Sequence, residues 1–175
     1  MRVGLYGGSF NPAHEGHRHV ADEARRALGL DKVVWLVSPQ NPLKDTRQTA
    51  SLADRMAGAE IVAAGPANIV TDLESRLGSA YTADTLRWLK RRYPGVRFVW
   101  IMGSDNLFGL TRWRDWRGIA RQTDIVIVPR PGAGARANLA PGARFLRRLH
   151  RTRFLETPLV SASSTALRLR AMEAG

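Results

Sequence analysis

The residues best suited to chemistry lie at the start of the chain, in Gly7-Gly8-Ser9-Phe10-Asn11-Pro12-Ala13-His14-Glu15-Gly16-His17. A short apolar run, Val3-Gly4-Leu5-Tyr6, precedes this stretch and a helix-like segment follows it, so it reads as a strand-to-helix turn. Glycines let backbone N–H groups approach a phosphate, and the helix N-terminus adds positive partial charge. His14, His17 and His19 lie within six positions of one another, where imidazoles could donate hydrogen bonds to phosphoryl oxygens. The chemistry implied is work on a nucleotide phosphate. Rival motifs fail on spacing: there is no GxxxxGK(S/T) phosphate loop and no GxGxxG after the first strand. His14-Glu15-Gly16-His17 is one residue short of the HExxH of a zinc protease. A metal site on His14, His17 and His19 is not expected, because no cysteine and no second well-spaced cluster supports it.

Four further groups share this character. Lys44, one of only three lysines, closes the proline-stiffened loop Ser38-Pro39-Gln40-Asn41-Pro42-Leu43-Lys44 and offers a mobile point charge. Ser79-Ala80-Tyr81-Thr82-Ala83-Asp84-Thr85-Leu86 opens a helix, with Thr82 placed as its N-cap and Asp84 favourable to the helix dipole. Asp105, in Gly103-Ser104-Asp105-Asn106-Leu107, sits where a carboxylate could accept hydrogen bonds from ribose hydroxyls or cap the next helix. Ser161-Ala162-Ser163-Ser164-Thr165-Ala166-Leu167-Arg168 gathers hydroxyls and an arginine at a helix start, a fit for a triphosphate, although one or two of the hydroxyls could be simple caps. Trp113 and Trp116 are three apart, a spacing that places them on one helical face and is more often core than ligand platform.

The elements that must position these groups alternate. Residues 2–6, 33–37, 69–73, 96–102 and 125–128 read as strands, being rich in β-branched and apolar residues between turn signals. Residues 15–28, 50–64, 82–93 and 106–121 read as helical. The alternation predicts an α/β fold, Rossmann-like and doubly wound, with a mostly parallel sheet covered by helices on both faces. Such sheets bind ligands at the carboxyl ends of their strands, which is where every group named above falls. Residues 129–141, dense in Gly, Pro and Ala, are expected to form a surface loop, residues 143–151 a short basic helix, and residues 153–156 a possible last strand.

Length and composition bound the rest. A chain of 175 residues, 44% hydrophobic and 24% charged, is expected to form a single globular domain spanning 1–175. No run approaches the length of a membrane span, and the start of the chain has no secretory pattern, so the expected location is cytoplasmic. The absence of cysteine removes disulfides and thiolate chemistry. The net charge of +12 is carried by 24 arginines against three lysines. Nine arginines and one acid, Glu156, lie between Arg130 and Arg170, a field that could attract polyanions or simply keep helix faces solvated. A basic RNA-binding protein is one reading of it, but that reading leaves the ordered phosphate motifs unexplained and nucleic acid is not an expected partner.

These motifs, in order, resemble those of one family. GGSFNPAHEGH is similar to the signature of nucleotidyltransferases that carry an HxGH motif, and in its GGSFNP form to bacterial nicotinate-nucleotide adenylyltransferases. SYTADTL, GSDNL, the Trp113 segment and SASSTALR resemble the family's other motifs, and the proline-rich loop its lysine-bearing loop. The resemblance implies adenylyl transfer from ATP to nicotinate mononucleotide, giving deamido-NAD and pyrophosphate, with Mg2+ bound with ATP and no metal held by the protein alone. It implies catalytic roles for His14, His17, Lys44 and Arg168. It implies ATP contacts from Gly8, Ser9, Phe10, His14, His17, Asp105, Ser163, Ser164, Thr165 and Arg168. Thr82, Ala83 and Thr85 would meet the carboxylate end of the mononucleotide, and Trp113 would stack on its ring. Sister enzymes acting on nicotinamide mononucleotide or phosphopantetheine are the alternatives within the superfamily.

Overall fold

The computed structural model describes residues 1–39 and 49–159. Six strands form one sheet, β1 (Arg2–Gly8), β2 (Lys32–Val37), β3 (Asn68–Thr71), β4 (Arg97–Gly103), β5 (Asp124–Val128) and β6 (Thr152–Phe154), in the order β3-β2-β1-β4-β5-β6. Every pairing is parallel, with Leu5 of β1 opposite Val34 on one side and Trp100 on the other. The Rossmann-like architecture is therefore as expected, and its sheet is parallel throughout.

Apolar side chains alternate along the strands and build two cores. On one face Tyr6, Val33, Trp35, Val99, Ile101 and Val126 meet Val20, Ala21 and Ala24 of α1 (Glu15–Leu28) and Ala59 and Ala63 of α2 (Leu52–Ala63). On the other, Leu5, Phe98, Trp100 and Ile125 meet Leu86 and Leu89 of α4 (Thr82–Arg92), Ile119 of α5 (Trp116–Gln122), Ala137 of α6 (Gly134–Leu139) and Leu146 of α7 (Pro141–Arg147). The remaining helix, α3, is a single turn over Leu73–Arg76. Sequence signals explain the boundaries. Gly29 ends α1 in the left-handed region (φ 58°), where its missing Cβ avoids strain. Ser51 caps α2 by accepting the Asp54 N–H at 3.1 Å.

Four expectations are corrected. Residues 106–121 are not one helix: two 3-10 turns, Ser104–Phe108 and Leu110–Arg112, precede extended backbone at Trp113, and α5 begins only at Trp116 after a left-handed Asp115 (φ 50°). Trp113 and Trp116 thus leave the common helical face their spacing suggested. Residues 129–141 are not a simple loop, because small residues let α6 pack closely, with Ala133 and Ala137 buried. Thr82 is not an N-cap: Tyr81 holds that position, and no side chain caps α4. Finally, residues 72 and 73 leave the third strand, which ends at Thr71 ahead of α3.

Close approach at β1 depends on Gly4. A Cβ there would lie 2.6 Å from Ile101 Cδ1 and 2.8 Å from Leu30 Cδ1. Gly4→Val is expected to cost on the order of 1–3 kcal/mol by overpacking, read as a lowered urea midpoint at unchanged slope.

Candidate active site

The turn after β1 and the first turn of α1 form the centre of the site. His14 is the N-cap of α1, and its Nδ1 accepts the Gly16 N–H at 3.0 Å. His17 answers reciprocally, its Nδ1 accepting the His14 N–H at 3.2 Å. The two rings lie 3.9 Å apart. With both Nδ1 atoms engaged as acceptors, each neutral imidazole carries its proton on Nε2. His14 Nε2 is buried and has no hydrogen-bond partner among the described residues.

Both rings are held neutral. Burial pushes the His14 pKa from 6.5 down to about 4, helped by Arg130 and opposed by Asp105. For His17 burial, then His14, then Arg130 push it to about 3. The site therefore offers oriented N–H dipoles at these two positions, and its positive charge comes from elsewhere.

One such charge is Arg130, in the Val128-Pro129-Arg130-Pro131-Gly132 segment after β5. Its guanidinium lies 3.5 Å from Asp105, and its backbone N–H donates to Ser104 Oγ at 3.0 Å. Gly103 makes this possible, because a Cβ there would collide with the side chains of both Arg130 and Asp105. Arg55 of α2 supports the turn from beneath. It is buried and donates to the carbonyls of Ser9 and Ser38, each at 2.9 Å, tying the end of β1 to the end of β2. Phe10 adopts a left-handed backbone (φ 47°) and buries its ring against Tyr6, Trp35 and His17.

Two clefts open along the carboxyl edge of the sheet, one on each side of this centre. The first, about 330 Å3, is lined by Gly7, Gly8, Ser38, Glu74, Tyr81, Thr82, Trp100 and Trp113, among others. The second, about 430 Å3, lies at the ends of β5 and β6 and is lined by Ser104, Arg130, Asn138, Arg147, Phe154 and Glu156, among others. Glu74 is a buried carboxyl in the first. Burial raises its pKa, against hydrogen bonds from Ser38 and Thr85.

The structure thus brings Gly8, His14, His17, Thr82, Asp105 and Trp113 to this edge. Ser9 is exposed at the turn, and Phe10 faces inward, so only its backbone is available to a ligand. Thr85 is fully buried, with its hydroxyl 3.4 Å from Glu74, and Ala83 is buried beside it in α4; neither side chain lines the cleft. His19 turns away from the histidine pair to the Pro158 carbonyl, 2.8 Å from its Nε2. Lys44, Ser163, Ser164, Thr165 and Arg168 lie outside the described residues.

Residues 5–170 match the model of the cytidylyltransferase-like family. The chain is 52% identical to a probable nicotinate-nucleotide adenylyltransferase of Caulobacter sp. (strain K31), over 96% of this chain and 97% of that protein. It is 51% identical to a probable nicotinate-nucleotide adenylyltransferase of Parvibaculum lavamentivorans, over 95% of this chain and 84% of that one. The chain belongs to the nicotinate-nucleotide adenylyltransferases of the cytidylyltransferase-like family. Its fold is also that of the Plasmodium falciparum nicotinic acid mononucleotide adenylyltransferase complexed with NaAD, at a TM-score of 0.78 and 19% identity, covering 94% of this chain and 81% of that one.

Four residues of this adenylyltransferase site escaped the motif reading: Arg55, Glu74, Trp100 and Arg130. Arg130 had the clearest signal, an arginine directly after a strand end, which is where ligands bind in such sheets.

The depressed histidine pKa values make stability depend on pH. Each ring is neutral in the folded state down to about pH 4 or below, whereas the unfolded chain binds protons from about 6.5. Stability from these rings is therefore present above pH 6.5 and lost on acidification. By pH 5 the loss should reach about 2 kcal/mol for His17 and, discounted for solvent screening, less for His14. Urea midpoints are expected to fall between pH 7 and 5, and His17→Gln should weaken that dependence by about one proton; equal slopes for both proteins would contradict it.

Proposed function

We propose that this protein transfers the adenylyl group of ATP to nicotinate mononucleotide, forming deamido-NAD and pyrophosphate. The observation that carries the reading is the pair of clefts at the carboxyl edge of the sheet, together with the His14–His17 pair at the same edge. A dinucleotide needs two half-sites that converge on a phosphate, and this edge supplies them.

The first cleft suits the pyridine half. Trp113 offers an aromatic face for a flat ring. The uncapped start of α4 at Thr82 and Ala83 offers backbone N–H groups to a carboxylate, and an anion gains more from them than a neutral carboxamide does. The second cleft suits the adenosine half, with Asp105 at its margin for the ribose hydroxyls. Between them, a phosphate oxygen of the mononucleotide attacks the α-phosphorus of ATP. One phosphorus–oxygen bond forms there as the bond to the β-phosphate oxygen breaks, and pyrophosphate leaves. No side chain becomes a nucleophile.

Catalysis then consists of positioning and of stabilising charge as it moves. His14 and His17 direct Nε2–H donors toward the transferring and leaving groups, and Arg130 adds a fixed charge beside them. Lys44, Arg168 and the Ser163, Ser164 and Thr165 hydroxyls hold the β- and γ-phosphates in this reading, on the strength of their motifs alone. Mg2+ enters as part of Mg-ATP, held by phosphate oxygens and water. Among the described residues no group of three or more His, Cys, Asp or Glu side chains is placed to hold the ion by itself. No helix among the described residues is long and apolar enough to cross a membrane.

Pyrophosphate release from Mg-ATP, compared across nicotinate mononucleotide, nicotinamide mononucleotide and phosphopantetheine, tests the proposal. Rapid release with the nicotinate substrate and deamido-NAD as product is the expected result; release with phosphopantetheine alone would overturn it. His17→Ala should keep a wild-type circular-dichroism spectrum and lose about a hundredfold in turnover, the scale of one oriented donor. Trp113→Ala should raise KM for the mononucleotide and leave that for ATP nearly unchanged. A variant that unfolds instead would place Trp113 in the core.

A further inference from the structure

Few side-chain donors in the described residues are both buried and unpartnered. The indole N–H of Trp100 is one of them. Trp100 is 2% exposed, yet it forms part of the wall of the first cleft, beside Gly7 and Gly8 and across from Trp113. Its ring meets that of Trp113 edge to face, with centroids 6.2 Å apart and planes at 89°. The chain makes room for it deliberately in the steric sense: a Cβ on Gly7 would stand 2.9 Å from Trp100 Cη2 and 3.0 Å from Cζ2.

The other large buried indole shows the contrast. Trp35 lies equally deep on the opposite face, and its N–H donates to Asn68 Oδ1 at 3.1 Å. Packing alone would be served at position 100 by a phenylalanine, which has no donor to leave unsatisfied. A buried N–H without a partner is unfavourable wherever it remains unmade. A cleft wall is the one setting in which a ligand can complete it.

We propose that the Trp100 N–H is a substrate-binding donor, completed by an oxygen acceptor of the nicotinate-ribosyl half when that half occupies the first cleft. The inference rests on the assignment of this cleft to nicotinate mononucleotide. The acceptor chemistry is shared by the ring carboxylate and the ribose hydroxyls. Trp100 therefore joins Trp113 in the same pocket with a different task. Trp113 offers a face to the ring, and Trp100 an unpartnered indole donor within the wall.

The test uses the whole enzyme labelled with 15N in its five indole groups. Trp100→Phe and Trp113→Phe assign two of the five indole signals. Nicotinate mononucleotide is expected to move the Trp100 N–H proton signal downfield, and Mg-ATP alone to leave it in place. Ribose 5-phosphate reproducing the shift would identify the acceptor as the sugar; a shift that requires the pyridine ring would identify the carboxylate. Movement of the Trp113 signal without that of Trp100 would overturn the inference and keep the function. Movement of neither, with no pyrophosphate released in the assay, would overturn both. In kinetics, Trp100→Phe should raise KM for nicotinate mononucleotide about tenfold, the scale of one hydrogen bond, with kcat and the KM for ATP little changed. A lowered urea midpoint with unchanged KM would make Trp100 a packing residue only.

Discussion

The start of α1 is tied by two imidazoles, and what each ring can give a substrate is decided there. A helix leaves its first N–H groups without partners, and short oxygen-bearing side chains usually satisfy one of them. Here His14 and His17 perform this task reciprocally through their Nδ1 atoms. The cap therefore selects the tautomer and aims the second nitrogen of each ring away from the helix. Burial then keeps both rings neutral. A serine at position 14 could still cap the helix, but it would place no imidazole donor beside His17. Helix stability and donor orientation are the same set of hydrogen bonds.

Neutral donors beside a fixed guanidinium form a consistent electrostatic design for phosphoryl chemistry. Two imidazolium ions 3.9 Å apart would repel each other and Arg130. Dipoles cost no such repulsion, and they act most strongly where water is excluded. The supports beneath them are rigid. Phe10 fills the space under the turn, and Arg55 grips two carbonyls on neighbouring strand ends. Glycines at 7 and 103 admit Trp100 and Arg130 to positions that a methyl group would block.

The β-branched runs and the strand-to-helix turn were legible because their signals are local. Alternation of apolar strands with amphipathic helices fixes a parallel sheet, and a parallel sheet places its motifs on one edge. Segment 106–121 was misleading for the same reason: its apolar spacing resembles a helix, while Gly109 and the left-handed Asp115 break it into turns. Arg55, Glu74 and Trp100 were not legible because their meaning is tertiary. An arginine in α2 is ordinary until Ser9 and Ser38 close over it, and a tryptophan in a strand reads as core until its N–H is found without an acceptor. Thr85 shows the reverse: its motif suggested ligand contact, and the fold buries it against Glu74.

Charge in the first cleft bears on which pyridine nucleotide that cleft favours. Two protein carboxyl groups stand near the start of α4, and each would oppose a substrate carboxylate if left bare. They are treated differently. Asp84 is held well below the usual carboxylate range by the Ser79 hydroxyl, then by Arg87, and Arg114 stands 3.4 Å from its other oxygen. Its negative charge is thus matched by guanidinium groups at the rim. Glu74 instead takes hydrogen bonds from Ser38 and Thr85, while burial raises its pKa. In the proposed reading, a substrate carboxylate would meet the start of α4, which no side chain caps, an Asp84 charge already matched by arginines, and a Glu74 carboxyl whose pKa burial raises.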